Sequence, residues 1–431
     1  MPRIYADLHI HSIYSRATST SMTIKEIARF SRIKGLNLVG TGDFTHPRWL
    51  ETLKKELVKE PETSLYKPRD NPKSSVRFMV TGEVCTVFEF EKNIKRIHHL
   101  LLTPSIETAE QINDRLSHYG DLSSDGRPTL SVSAPELVEE ILEASPESMV
   151  IPAHAWTPWF GLFGAFSGFD RIEDCYQDMT RHISALETGL SSDPPMNWRL
   201  SALDPFTLIS NSDSHSPWPW RIGREANVFE MEEVTYNGVL RAIRDKNPEY
   251  FKFTVETNPA YGKYHWTGHR RCEVSLSPRE AIKMNNICPV CRRKLTKGVE
   301  QRVEELADRP AGYRPEGVPG YMRLLPLSEI IQTLLGVSYP GAERVWEIYN
   351  TLISRFGNEY EVLISASMED MAKVVDSNIA DAIIRVREER VHIIPGYDGV
   401  YGRIEFGLNT KTEMKRKKRT LDDYFKMAPK E

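Results

Sequence analysis

The chemistry of this chain begins at Tyr5–Ser12, which reads Y-A-D-L-H-I-H-S. Strand alternation puts Ile4, Ala6, Leu8 and Ile10 on one face and Asp7, His9 and His11 on the other. Two imidazoles with parallel reach then meet at a strand end, a geometry that chelates one metal ion or shares two. More imidazoles and carboxylates follow at the ends of later apolar runs. They are Asp43 in T-G-D-F, Glu83 in T-G-E-V, His98-His99 in R-I-H-H-L-L-L, His154 in P-A-H-A-W, and Asp213 with His215 in N-S-D-S-H-S. One such placement arises readily by chance; six do not. Imidazoles and carboxylates without thiolate suit Zn²⁺, Mn²⁺ or Fe²⁺, and there are more donors than one ion needs. Only one of His98 and His99 can face inward from a strand, and the aliphatic run that follows favours His99.

A second donor group has a different character. Cys288-Pro-Val-Cys291 is one half of a tetrahedral zinc site, and His269 with Cys272 supplies a matching H-x2-C half, His265 being the alternative fourth ligand. Four closed ligands leave no open position for chemistry, so this zinc is structural. The neighbouring Arg270, Arg271, Arg292, Arg293, Lys294 and Lys297 suit a phosphate backbone. Beside His154 lies a loop rich in glycine and aromatics. Trp156, Trp159 and Phe160 in it are candidates for a pocket that stacks a base taken out of its helix; a loop packed over the mouth of the fold is the alternative.

These side chains need a scaffold that opens many strand ends on one face. Thr23-Ile-Lys-Glu26 opens a helix that Gly35 closes, and Leu36–Gly40 is a buried strand. Strands are predicted at 76–86, 94–103, 149–153, 183–187, 206–210 and 226–229, with helices at 106–118, 135–144 and 236–244. Such alternation implies parallel strands with helical crossovers, as an open doubly wound sheet or a barrel. In a barrel, residues two hundred positions apart can line one pocket. Beyond a Pro- and Gly-rich linker at 309–320, glycines 336 and 357 punctuate a series of helices.

Composition sets the outer bounds. At 431 residues the chain can bury two or three domains, and its 40% hydrophobic and 27% charged content is that of a globular protein. No apolar run approaches the ~18 residues of a membrane span, and the N-terminus lacks the order of a signal peptide, so a cytoplasmic, nucleoid-associated protein without a membrane partner is expected. Five cysteines, three of them between Cys272 and Cys291, point to metal and not to disulfides. The net charge of −4 conceals a basic stretch, Lys411–Arg419. It leads into K-K-R-T-L-D-D-Y-F, where Leu421, Tyr424 and Phe425 form one apolar helical turn that needs a partner groove.

The ordered set D-L-H-I-H-S, T-G-D, G-E, H-L-L-L, P-A-H-A-W and S-D-S-H resembles the PHP (polymerase and histidinol phosphatase) family over residues 1–257. That resemblance implies a distorted seven-stranded α/β barrel, two or three divalent metals (Zn, Mn or Mg), and phosphoester hydrolysis. It assigns metal-ligand roles to His9, His11, Asp43, Glu83, His99, His154, Asp213 and His215, the last two also catalytic. Glu187, ending L-E-T-G, would orient a ligand histidine. Arg16 stands where many members have His or Asp and would contact phosphate; Asp43 stands where most have the His of T-D-H.

The tail is similar to the sliding-clamp-binding motif Q-x-x-L-x-x-F-F, with Lys418 in place of Gln and Leu421, Tyr424 and Phe425 in register. With the barrel, a zinc module at 258–308, a helical domain at 309–408 and a disordered tail at 409–431, the whole chain resembles the endonuclease Q family of archaeal-type DNA repair enzymes. The resemblance implies hydrolysis 5′ to a deaminated base (hypoxanthine, uracil, xanthine) or an abasic site in DNA, with a PCNA-type clamp as partner. A phosphatase for small monoesters would share the barrel ligands but has no use for the zinc module or tail. No G-x4-G-K-[ST] loop supports a helicase.

Overall fold

The computed structural model describes residues 1–407. Its organising strand is Arg3–Asp7, which pairs in parallel with Leu38–Gly40 and antiparallel with Ala226–Glu230. Leu38–Gly40 pairs in parallel with the long strand Arg77–Phe90, which turns back at Glu91-Lys92 into Asn93–Thr103. Asn93–Thr103 then pairs with Met149–Pro152. The short parallel pair Ala185–Glu187 and Thr207–Ile209 follows, joined to the preceding strand where the Ala155 amide donates to the Glu187 carbonyl at 2.9 Å. The circuit closes on the first strand: the Leu8 amide donates to Asn211 Oδ1 at 2.7 Å, and Ile10 bridges Ser214.

The result is a distorted barrel, and several of its pairings are antiparallel where uniform parallel crossovers were expected. The cause is local. Glu91 and Lys92 both take positive φ (49° and 65°), giving a tight turn that no crossover helix could replace. The hairpin Leu57–Glu60 with Leu65–Pro68, and the strand Phe251–Glu256 between Ala226–Glu230 and Gly320–Arg323, also lie beyond the sequence reading.

Helix signals translate directly. Thr23 Oγ1 caps Ile24–Lys34 and Gly35 ends it at φ 101°; Ser133 and Glu136 form a reciprocal capping box on Ala134–Ala144. Ile4, Ala6 and Leu8 pack with Leu38, Met79, Leu100, Ile151 and Ile209 in one core, and a larger core lies between the sheet and the surrounding helices.

The C-terminal helices Leu327–Leu335, Glu343–Phe356, Met368–Ala372 and Ser377–Arg387 dock on the barrel. The seam is polar as well as apolar: buried Lys34 Nζ reaches Glu359 at 2.7 Å and the Pro219 carbonyl at 2.8 Å. The last described segment is not helical. His392–Ile394 and Arg403–Glu405 form a hairpin whose Gly396 exchanges backbone bonds with Ala260 and Trp266. The Cys/His segment has its own small core of Val274, Leu276, Ala281, Cys288 and Leu295. Among the described residues no helix is long and apolar enough to cross a membrane.

Candidate metal centre

Glu83, on the long strand, is the hub. Its Oε2 lies 3.4 Å from His9 Nε2 and 3.2 Å from His11 Nε2, and Asp213 Oδ1 lies 2.9 Å from the same His11 nitrogen. Its Oε1 lies 2.8 Å from His98 Nδ1 and 3.0 Å from His154 Nε2. Two donor nests therefore share one carboxylate: His9, His11, Glu83 and Asp213 on one side, Glu83, His98 and His154 on the other.

Side chains behind the nests orient the histidines. Glu187 accepts from His9 Nδ1 at 3.0 Å, from the His154 amide at 2.7 Å and from Asn211 Nδ2 at 2.8 Å. Asp43 receives His11 Nδ1 at 2.9 Å, the Ser12 amide at 2.6 Å and Ser15 Oγ at 2.9 Å. Each carboxylate fixes one ring nitrogen of a histidine and turns the other inward, as second partners do around bound metals. The strain is local too: Asp43 (φ 47°), His154 (φ 31°) and Asp213 (φ 47°) are all in the left-handed region.

Charge and burial are in tension here. Burial opposes the charged forms of His9 and His11, but Glu187 and Glu83 around His9, and Asp43 and Asp213 around His11, outweigh it and push both pKa values well above the usual imidazole range. Burial pushes His98 down to about 4 against the pull of Glu83. Glu83 and Asp213 are held well below the carboxylate range despite burial, Glu83 chiefly by Arg127 and Asp213 chiefly by His11. The donors fit divalent cations: His9 Nε2 is buried with no hydrogen-bond partner, amid carboxylate oxygens that a cation would satisfy.

Five expected placements differ from the observed geometry: those of His99, Asp43, Arg16, Trp156 and His215. His98, not His99, joins the cluster, because His98 stands opposite Cys85, on the same strand face as Glu83, whereas His99 stands opposite Val84. His99 instead sits between Tyr176 Oη (2.8 Å) and Thr86 Oγ1 (2.9 Å), its pKa pushed by burial down to about 3. Asp43 lies behind His11 and outside both nests. Arg16 is 84% exposed and pairs with Asp125 at 3.2 Å, away from the cluster. Trp156 is buried, donating to Asn197 Oδ1 at 2.8 Å, so it offers no face to a base.

His215 stays at the edge, its ring 4.3 Å from that of His11 and outside both nests. The cation the site does hold is Arg127, whose Nη1 lies 3.0 Å from Glu83 Oε2. Nothing in D-G-R-P marks it in the sequence. Its loop closes on the site at Gly126, where a Cβ would stand 2.3 Å from both Asp43 Oδ2 and Ser15 Oγ.

Phe160 stacks on His98 with centroids 4.7 Å apart, and Trp159 beside it is 42% exposed, so an aromatic shelf adjoins the second nest. In the Cys/His segment His269, Cys272, Cys288 and Cys291 converge, with His269 Nδ1 3.4 Å from Cys291 Sγ. His265 is drawn instead towards Glu300, at 3.3 Å. Lys418, Leu421, Tyr424 and Phe425 lie outside the described residues.

Comparison with known proteins gives a consistent picture. The chain superposes with a TM-score of 0.83 and 35% identity on the lesion-specific endonuclease PfuEndoQ from Pyrococcus furiosus, covering 94% of this chain and 95% of that one. It matches equally well an endonuclease Q bound to a 27-mer duplex substrate with an abasic lesion at its active site, over 96% of this chain and 99% of that one. Residues 326–390 match the family described as MJ0043 C-terminal domain. An uncharacterized protein, MJ0043 of Methanocaldococcus jannaschii, is 34% identical over 280 residues, 63% of this chain, which spans 34% of that protein's length.

Proposed function

The chain belongs to the endonuclease Q family, and on that premise we propose that it hydrolyses the phosphodiester bond on the 5′ side of a deaminated base (hypoxanthine, uracil or xanthine) or an abasic site in DNA, leaving 3′-hydroxyl and 5′-phosphate ends. The observation that carries the reading is Glu83, each of whose oxygens faces a separate imidazole nest within reach of an exposed aromatic shelf.

In this reading His9, His11, Glu83 and Asp213 would hold one divalent cation and Glu83, His98 and His154 would hold a second. Such cations supply a water nucleophile near neutral pH and offset charge on the scissile phosphate. Asp43 and Glu187 keep His11 and His9 turned towards the cluster. Arg127, tied to Glu83, is the group placed to contact a phosphate oxygen, and half-buried His215 borders the entrance. Trp159 and Phe160 receive the extruded nucleotide. The quartet His269, Cys272, Cys288 and Cys291 holds a structural zinc that presents Arg270, Arg271, Arg292, Arg293 and Lys294 to the duplex backbone. Lys418, Leu421, Tyr424 and Phe425 engage the groove of a sliding clamp.

The test is cleavage of end-labelled duplexes carrying deoxyinosine, deoxyuridine, an abasic analogue or no lesion, with Mg²⁺ or Mn²⁺. A nick 5′ to the lesion that disappears in Asp213→Ala and His9→Ala is the expected result. Hydrolysis of simple monoesters without any nick would place the protein among small-molecule phosphatases. Calorimetric titration with a sliding clamp should lose its heat signal when residues 409–431 are deleted.

A further inference from the structure

The aromatic shelf does not end at Trp159. Phe166 stacks on Trp159 at 4.8 Å with only 13° between the rings, and Tyr264 meets the same indole edge-on at 5.3 Å. Lys263 lies over the Tyr264 ring at 5.4 Å and over that of Tyr401 at 5.9 Å. Tyr401 is held in place because its hairpin is laced to the strip before the Cys/His segment: the Gly399 amide donates to the Lys263 carbonyl at 2.9 Å and the Gly402 amide to that of Tyr261 at 3.0 Å. Three segments far apart in sequence thus present one row of aromatic faces and a cation.

Tyr264 rests against the main core, but the rest of the row does not belong to one. Trp159, Phe166 and Tyr401 are 42%, 52% and 57% exposed, whereas a ring that packs for stability, such as Trp156, is 1% exposed. Exposed Lys263 has no ion pair among the described residues, so its charge is available to an anion. Exposed rings beside one unpaired ammonium fit one chemical class, a nucleic-acid strand with bare bases: the bases have faces to stack and the backbone has a phosphate for the ammonium. A duplex would hide its base faces.

We propose that Trp159, Phe166, Tyr264, Lys263 and Tyr401 form a stacking track for unpaired DNA, which guides the lesion-bearing strand away from the metal centre. The inference rests on the endonuclease reading for its direction, because the track starts where Phe160 covers His98. Its binding chemistry stands apart from cleavage.

The experiment is fluorescence anisotropy with labelled, lesion-free oligodeoxythymidylate of 12 nucleotides and intact protein in chelator. Variants are Tyr401→Ala and Lys263→Ala, with Tyr250→Ala, an exposed tyrosine on the barrel, as control. Tyr401→Ala should weaken binding about tenfold, the loss of one stacked base. Lys263→Ala should also lower the salt dependence by about 0.7 in the log–log slope. Equal losses in Tyr250→Ala, or affinities within about twofold of wild type in both track variants, would overturn the track. Lesion-duplex cleavage run beside it separates the two ideas. Cleavage with no change in strand binding removes only the track; strand binding lost in Tyr401→Ala, in a protein that nicks nothing, removes only the endonuclease reading.

Discussion

At the scale of single residues, the shared carboxylate makes the sharpest predictions. His98→Ala should lower lesion cleavage by about a hundredfold or more, because it removes one donor from a three-donor nest. His99→Ala should leave kcat nearly intact but destabilise the fold by about 1–3 kcal/mol in urea unfolding, since it removes the partner of the buried Tyr176 hydroxyl and leaves Thr86 Oγ1 only the Ile97 carbonyl. The donor types were legible in the sequence, because strand ends concentrate them. Which of two adjacent histidines faces inward was not, because that depends on the hairpin register fixed by Glu91-Lys92. Arg127 was invisible for a related reason: a loop brings it in, and loops have no period.

Another residue-scale prediction concerns pH. Buried Glu225 shares Ser210 Oγ with Glu256, and burial pushes its pKa up to about 8. A carboxyl whose pKa is raised by folding stabilises fully below its unfolded value near 4.5. That contribution fades as pH rises from about 4.5 towards about 8, because the unfolded chain gives up this proton while the folded state still holds it, and the loss levels off once the folded carboxyl ionises too. Glu225→Gln, which cannot ionise, should therefore melt progressively higher than wild type as pH is raised from 5 to 8. Parallel melting curves across that range would refute the assignment.

At the scale of elements, hydrogen bonds link the helical region to the metal loop. Tyr360 Oη donates to the Gly223 carbonyl at 2.6 Å, and the Gly223 amide donates to Asp7 Oδ2 at 2.8 Å. Asp7 also accepts from the Ser212 amide at 3.0 Å and Ser212 Oγ at 2.6 Å, one residue before Asp213. Tyr360→Phe should lower kcat several-fold with KM little changed, and steady-state kinetics on a lesion duplex will decide it. The elements predicted from caps and periodicity match within a few residues at each end, whereas the helix Pro47–Glu56, the hairpin that follows it and the strand Phe251–Glu256 were not read. The antiparallel pairings were not, because a strand's hydrophobic pattern carries no direction.

At the scale of the whole molecule, the barrel, the Cys/His segment and the helices each announced themselves in the sequence by donor spacing or by helix-ending glycines. Their joining surfaces did not, since these depend on contacts such as Lys34 with Glu359, 325 positions apart. Cys288→Ser should abolish stoichiometric zinc in the Cys/His segment and shift its proteolysis to lower protease concentrations while barrel metals remain, as metal analysis with limited digestion would show.

The Lys34–Glu359 contact also bears on how such a protein can be built or divided. Glu359 receives the Lys34 ammonium, the Leu327 amide and the Tyr349 hydroxyl, all buried, so cutting the chain before Leu327 would take away the carboxylate that pairs Lys34 and open this flank of the barrel to water. Removing one partner while the seam stays closed, as in Glu359→Ala, costs about 3–5 kcal/mol, a large share of a domain's margin. The barrel and its helical partner are thus not interchangeable parts: a graft or fusion that borrows either one must carry both halves of this seam or replace Lys34 with an uncharged side chain.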